Sequence, residues 1–196
     1  MECRQCRICV SSCFFALLVA VLLFLPVPWV VAWFVASTIH EIGHLTALFL
    51  SKNRDWRICL SVFGPRIQYY PASNAQHIAC TFAGPCVGVL PILFTSMFPR
   101  VAICAAIQTF CNLLPFISLD GGQIVFATLK LIMSDTHARR TLGIIELITI
   151  LILITITIYV AIKYSFTLFP LLGVSVLVIQ THRIKFSCKQ RRERVQ

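Results

Sequence analysis

From Cys13 to Leu50 the chain offers three ionisable side chains besides the Cys13 thiol: His40, Glu41 and His44. A run this apolar and this long suits a lipid bilayer, whose core takes about 20 helical residues per crossing. Each ionisable group placed there costs roughly 2.5–3.5 kcal/mol on insertion scales. Three together need compensation, and their spacing supplies it. His40-Glu41-Ile42-Gly43-His44 reads H-E-x-x-H. On a helix, positions i and i+4 lie on nearly one face, so both imidazoles reach the same ion. Glu41, beside one ligand, is placed to take a proton from a water that the ion polarises. The pattern therefore points to metal-assisted hydrolysis within a membrane. Two packing histidines and a Glu facing a polar neighbour are the bland alternative. In an apolar span that alternative leaves the desolvation cost without an offset.

Composition agrees with the membrane reading. Of 196 residues, 58% are hydrophobic and 12% are charged, which excludes an ordinary soluble domain. The length allows one membrane domain, residues 1–196, with no separate soluble module of ordinary size. After the first apolar run comes Pro26-Val27-Pro28-Trp29 rather than a small-x-small cleavage site, so that run is expected to be retained. Several of the ten cysteines fall in apolar spans (Cys80, Cys86, Cys104, Cys111), where small apolar packers are expected and structural disulfides are not.

Taken in order, the chain predicts six spans. Residues 1–12 form a short Cys-rich N-terminus. Cys3, Cys6, Cys9 and Cys13 have the C-x2-C-x2-C-x3-C spacing of half a ferredoxin cluster run. No second run exists and Phe14 replaces the usual proline, so redox-inert thiols are the simpler reading. The first span is expected over about 9–25, ended by Pro26-Val27-Pro28. The second, about 29–50, carries H-E-x-x-H, with Trp29 and Trp33 suited to its interfacial start. In the polar interval 51–74, two strand-like arms flank Gly64-Pro65. They suit a small β-hairpin whose open edge would accept an extended substrate; an amphipathic connector is the alternative. The third span, about 76–98, contains Gly84, Pro85, Gly88 and Pro91, which permit close approach and kinks. The fourth segment, 101–133, is too long for one straight crossing. It contains Asn112, Pro115, Asp120 and Gly121-Gly122, read as a helix broken near mid-membrane. Asp120 is expected in that break, where it would cap the second half-helix, bind the ion, or both. The fifth span, rich in Ile and Thr, is expected over about 142–162 and the sixth over about 166–181. A basic tail follows at 182–196.

Six spans put both termini on one side. With that layout every Lys and Arg except Arg100 and Lys163 falls on the terminus side. By the positive-inside rule the termini are cytoplasmic. The net charge of +10 is then a record of topology, with anionic lipid headgroups as expected partners and nucleic acid not. The second and fourth segments run in the same direction. At about 1.5 Å per helical residue, His40, His44 and Asp120 fall at depths that agree within one or two turns. Asp120 is thus the candidate third ligand, leaving a tetrahedral position open, as in hydrolytic zinc sites.

His40-Glu41-Ile42-Gly43-His44 on one span, Asn112, Pro115 and Asp120-Gly121 on a later one, and Ala83-Gly84-Pro85 between them resemble the site-2 protease family of intramembrane zinc metalloproteases. The motifs lie within 29–133, the expected catalytic core. The resemblance implies that His40, His44 and Asp120 bind one Zn2+, that Glu41 is catalytic, and that Asn112 positions substrate or its developing oxyanion. It implies a multi-pass protein of a cell membrane, in all expectation a bacterial plasma membrane. It further implies cleavage of a membrane-anchored substrate in or near its transmembrane segment. A sigma-factor precursor or anti-sigma factor is such a substrate, and a regulatory membrane partner is compatible with it. No stretch between the spans would encode a PDZ domain and no CBS domain follows the last, so a minimal form is expected. Two other classes of function compete. A metal transporter or sensor would use the same His and Asp residues but needs polar groups along a path, which the outer halves of the spans lack. A catalytically silent scaffold would not need the intact H-E-x-x-H.

Overall fold

The computed structural model describes residues 8–10, 25–52, 56–61, 64–69 and 71–164, with the strand residues 8–10, 57–66 and 68 described as backbone. The Cys3, Cys6 and Cys13 thiols, most of the expected first span, the sixth span and the basic tail lie outside the described residues. The chain falls into two compact units, 1–113 and 114–196.

The first unit contains β1 (Ile8–Val10), α1 (Val27–Leu50), β2 (Trp56–Ser61), β3 (Gly64–Tyr69), α2 (Asn74–Gly88), a 3-10 turn (Leu90–Phe94) and α3 (Pro99–Asn112). The strands form one sheet in the order β1-β2-β3. β2 and β3 pair antiparallel from Trp56↔Tyr69 to Ser61↔Gly64, so Gly64 and Pro65 open β3 rather than making the turn. Ile8–Val10 pairs parallel with Ile58–Leu60. Cys9 and Val10, expected to begin a membrane helix, are therefore strand residues. Their β-branched and sulfur side chains suit either state, and pairing with a distant strand decides between them.

α1 is 24 residues long, about 36 Å at the helical rise. Pro28 in its first turn costs no hydrogen bond, since the first amides have no helical partner. Trp29 and Trp33 stand exposed near its start. α1 packs on both α2 and α3 through small residues. Against α3 the contact is Ala32, Ala36, Cys104 and Ala105, with Val101 beside them. Against α2 it is Gly43, where an added Cβ would stand 2.5 Å from the Ala83 carbonyl oxygen and 2.9 Å from Gly84 Cα. Such backbone contact is how helices associate where lipid removes the hydrophobic driving force.

α2 begins at Ser73, whose hydroxyl accepts a hydrogen bond from the Gln76 amide. It carries Pro85 inside and ends at Gly88, after which the chain tightens into the 3-10 turn with Pro91 in it. The Tyr69 hydroxyl, on β3, is 3.3 Å from Thr81 Oγ1 and 3.4 Å from the His77 carbonyl oxygen, tying the sheet to α2. Cys80 and Cys104 are buried and Cys86 and Cys111 exposed, all four as free thiols.

The second unit contains α4 (Asp120–Ile132) and α5 (Asp135–Tyr164). Helix is absent from 113 to 119. There the Phe116 amide donates to the Leu114 carbonyl and the Leu119 amide to the Phe116 carbonyl, both at 2.8 Å, while the Phe116 ring is fully buried. Two amides of the unwound stretch are thus satisfied within it, as non-helical backbone in a membrane interior needs. Gly121 and Gly122 do not loosen the backbone as expected; they are buried in the first turn of α4. α5 is 30 residues long. Its Thr149 and Thr155 hydroxyls donate to the carbonyls four residues back, which lets Thr face an apolar medium. At the α4–α5 turn, Lys130 and Arg139 pair with Asp135 at 2.9 and 3.7 Å.

Among the described residues, two helical stretches are long and apolar enough to cross a membrane by length and composition, Asn74–Phe94 and Asp135–Val160.

Candidate metal centre

α1 places His40 and His44 one turn apart, with ring centroids 4.9 Å apart and the rings nearly perpendicular. Their Nε2 atoms lie 3.2 Å from each other. His40 is buried, at 2% exposure, and His44 is half-buried. The His44 Nδ1 is 2.9 Å from the Cys80 carbonyl oxygen. A carbonyl only accepts, so Nδ1 carries the proton and Nε2 presents its lone pair. That pairing is the usual outer partner of a metal-ligating imidazole. On the far side, Asn112 Nδ2 is 3.1 Å from His40 Nε2. The amide nitrogen thus stands beside the one His40 ring atom that also faces His44. The two Nε2 atoms face each other at hydrogen-bond distance, and a cation bound by both would replace that bond. Two nitrogens on one tetrahedral zinc at about 2.05 Å each are about 3.3 Å apart, so the pair has the spacing of a ligand pair.

The opposing helix is shaped for these rings. A Cβ on Gly84 would run into the His44 imidazole at Nε2, Cε1 and Cδ2. A Cβ on Gly88 would stand 2.9 Å from His40 Nδ1 and 3.0 Å from Thr109 Oγ1. The two glycines are four residues apart on α2, as the two histidines are on α1. Each imidazole therefore has a glycine seat opposite it. From sequence these glycines read as generic close-packing residues. The matched spacing of four on two successive helices was the signal that they serve the histidines.

Glu41 follows His40 on α1 and is half-buried. In the second unit, Asp120 is the first residue of α4, half-buried. It is not the helix cap; Leu119 occupies that position, in an extended conformation and without a side-chain bond to the helix. Asp120 instead lies in the first turn of α4, the end of a helix that carries partial positive charge. His40 and His44 in the first unit and Asp120 in the second each offer a ligand atom of the kind a metal ion takes. Two imidazoles and one carboxylate are the donor set of a hydrolytic zinc site.

A further polar residue near the break has no counterpart in the motif reading. Glu146 on α5 is buried, and its Oε1 accepts a hydrogen bond from the Ile117 amide at 2.9 Å.

The chain matches the model of Peptidase family M50 over residues 88–156. That stretch includes Asn112, Asp120 and Glu146 and excludes the H-E-x-x-H. The fold is similar to that of the site-2 protease from Methanocaldococcus jannaschii, with a TM-score of 0.60 and 17% identity, over 97% of this chain and 92% of that one. No curated protein sequence matches the chain. The first likeness is to a peptidase family over part of the chain, and the second is one of fold.

Proposed function

We infer that this chain belongs to the site-2 protease family and is a membrane metalloprotease that hydrolyses peptide bonds in or near the transmembrane segments of membrane-anchored proteins. One observation carries the reading: two imidazole Nε2 atoms at ligand-pair spacing, with the His44 tautomer set by the Cys80 carbonyl. The H-E-x-x-H lies outside the stretch matched to the M50 model, so motif and match support the reading separately.

His40, His44 and Asp120 are the residues that would hold one Zn2+. Bound there, zinc supplies Lewis acidity, polarising the scissile carbonyl and making water a nucleophile near neutral pH. Glu41 removes a proton from the attacking water and returns it to the departing amide nitrogen. Asn112, whose amide nitrogen stands beside His40 Nε2, would donate instead to the substrate carbonyl oxygen as charge develops on it once that nitrogen binds the ion. The break at 113–119 provides the local opening in the helical wall through which a water-lined site is possible inside lipid. In this reading the termini face the cytoplasm, anionic lipids contact the basic tail, and the substrate is a membrane-anchored regulator such as a sigma-factor precursor or anti-sigma factor.

The test uses the purified protein in liposomes with a single-span substrate bearing tags at both ends. Stripping metal with 1,10-phenanthroline is expected to abolish cleavage, and zinc added after removal of the chelator restores it. Cleavage that persists at full rate in metal-stripped protein overturns the reading.

A further inference from the structure

Glu146 is the only acidic or basic side chain from Leu142 to Ile162, and it lies on the more apolar of the two candidate crossing helices. It is 2% exposed. A carboxyl group in that setting costs several kcal/mol or more unless it is hydrogen-bonded, and in membrane helices such groups mark function. Its recorded donor is the amide of Ile117, inside the unwound stretch and three residues before Asp120.

The same peptide bond is held from the other side. At Gly122 an added Cβ would collide with the Phe116 carbonyl carbon and oxygen, and would come within 2.6 Å of the Ile117 nitrogen. The Phe116–Ile117 peptide unit therefore lies directly on the backbone of α4, with its amide directed to Glu146 and the Phe116 ring buried. Asp120 follows after one short turn closed by the Leu119-to-Phe116 bond.

We propose that Glu146 is a positioning residue: by accepting from the Ile117 amide it fixes the unwound stretch and so sets where Asp120 presents its carboxylate to the metal. The proposal rests on the reading of Asp120 as a zinc ligand. It concerns the length and acceptor capacity of the side chain at 146, not its charge. An unwound backbone has no intrinsic register, so an external acceptor on a neighbouring helix is what gives it one. Outer partners that orient ligands in this way are worth about 10–100-fold in metal affinity.

Two variants separate acceptor geometry from charge. Glu146→Gln keeps the length and an acceptor oxygen. Glu146→Asp keeps the carboxylate but withdraws it by one methylene. Zinc affinity is measured by competition with a chelator of known affinity on the purified full chain, alongside kcat and KM for the tagged single-span substrate. Glu146→Gln is expected to bind zinc within about threefold of wild type. Glu146→Asp is expected to bind about 10–100-fold more weakly, with kcat reduced at subsaturating zinc and KM unchanged. A purely structural role would lower thermal stability without moving zinc affinity. Wild-type affinity in Glu146→Asp, or equal weakening in both variants, overturns the proposal. If the wild-type chain itself binds no zinc, the metalloprotease reading falls first, and the two failures are told apart by that control.

Discussion

Glu41→Gln protein is expected to hold zinc as tightly as wild type and to cleave about 10²–10⁴-fold more slowly, the range a positioned general base contributes. The reason is geometric. Glu41 follows His40 on α1 and projects about 100° away from it around the helix. It is therefore not on the face that carries both imidazoles, and the ligand set does not need it. The amide keeps the size of the carboxylate and one acceptor oxygen, and loses the negative charge and with it the ability to take a proton. Zinc content and cleavage of a tagged single-span substrate, measured on one preparation, separate the two functions. Zinc-replete Glu41→Gln protein with wild-type turnover would remove Glu41 from the mechanism. Zinc loss in that variant would instead make Glu41 part of the metal site.

Gly84→Ala carries the second large effect, and it touches no ligand in sequence. The added methyl would occupy the space of the His44 ring itself. The ring has two ways out, and each is costly. Rotating away gives up the bond to the Cys80 carbonyl that fixes its tautomer. Pushing α1 from α2 opens the contact at Gly43, where backbone meets backbone. Zinc affinity is expected to fall by at least the 10–100-fold typical of a lost outer partner. Gly88→Ala should fall less, because its methyl would meet His40 Nδ1 at 2.9 Å rather than overlap the ring. Competition titration of both variants checks the order. Wild-type affinity in Gly84→Ala would mean that His44 is not held where the structure places it.

The parts of the site legible from sequence were those written in local spacing. H-E-x-x-H announces itself because a helix turns by about 100° per residue and brings i and i+4 together. The break in the fourth segment was legible because Pro115 cannot continue a helix and the segment is too long for one crossing. α3 ends at Asn112 and α4 begins at Asp120, on either side of Pro115. What sequence did not disclose depends on pairing between distant segments. Ile8–Val10 is a strand because Ile58–Leu60 lies beside it, and nothing within the first ten residues says so. Gly121-Gly122 reads as a flexible pair, yet Gly122 is there because the Phe116–Ile117 peptide unit crosses it. Glu146 gives no signal within its run of Ile and Thr, since its partner is a backbone amide and amides leave no mark in a sequence. Capping, the alternative role that the residue type of Asp120 offers, falls to the extended Leu119, because Asp120 is itself the first helical residue of α4.

The most direct test of the account is to count zinc in the purified full chain and in Asp120→Ala and His40→Ala/His44→Ala variants, with Glu41→Gln as the folded control. The account predicts one zinc per chain in wild type and Glu41→Gln, none in the double histidine variant, and loss from Asp120→Ala under a chelator that leaves wild type loaded. One zinc per chain retained after both histidines are replaced, or a zinc-free wild-type protein after zinc-replete purification, would contradict it.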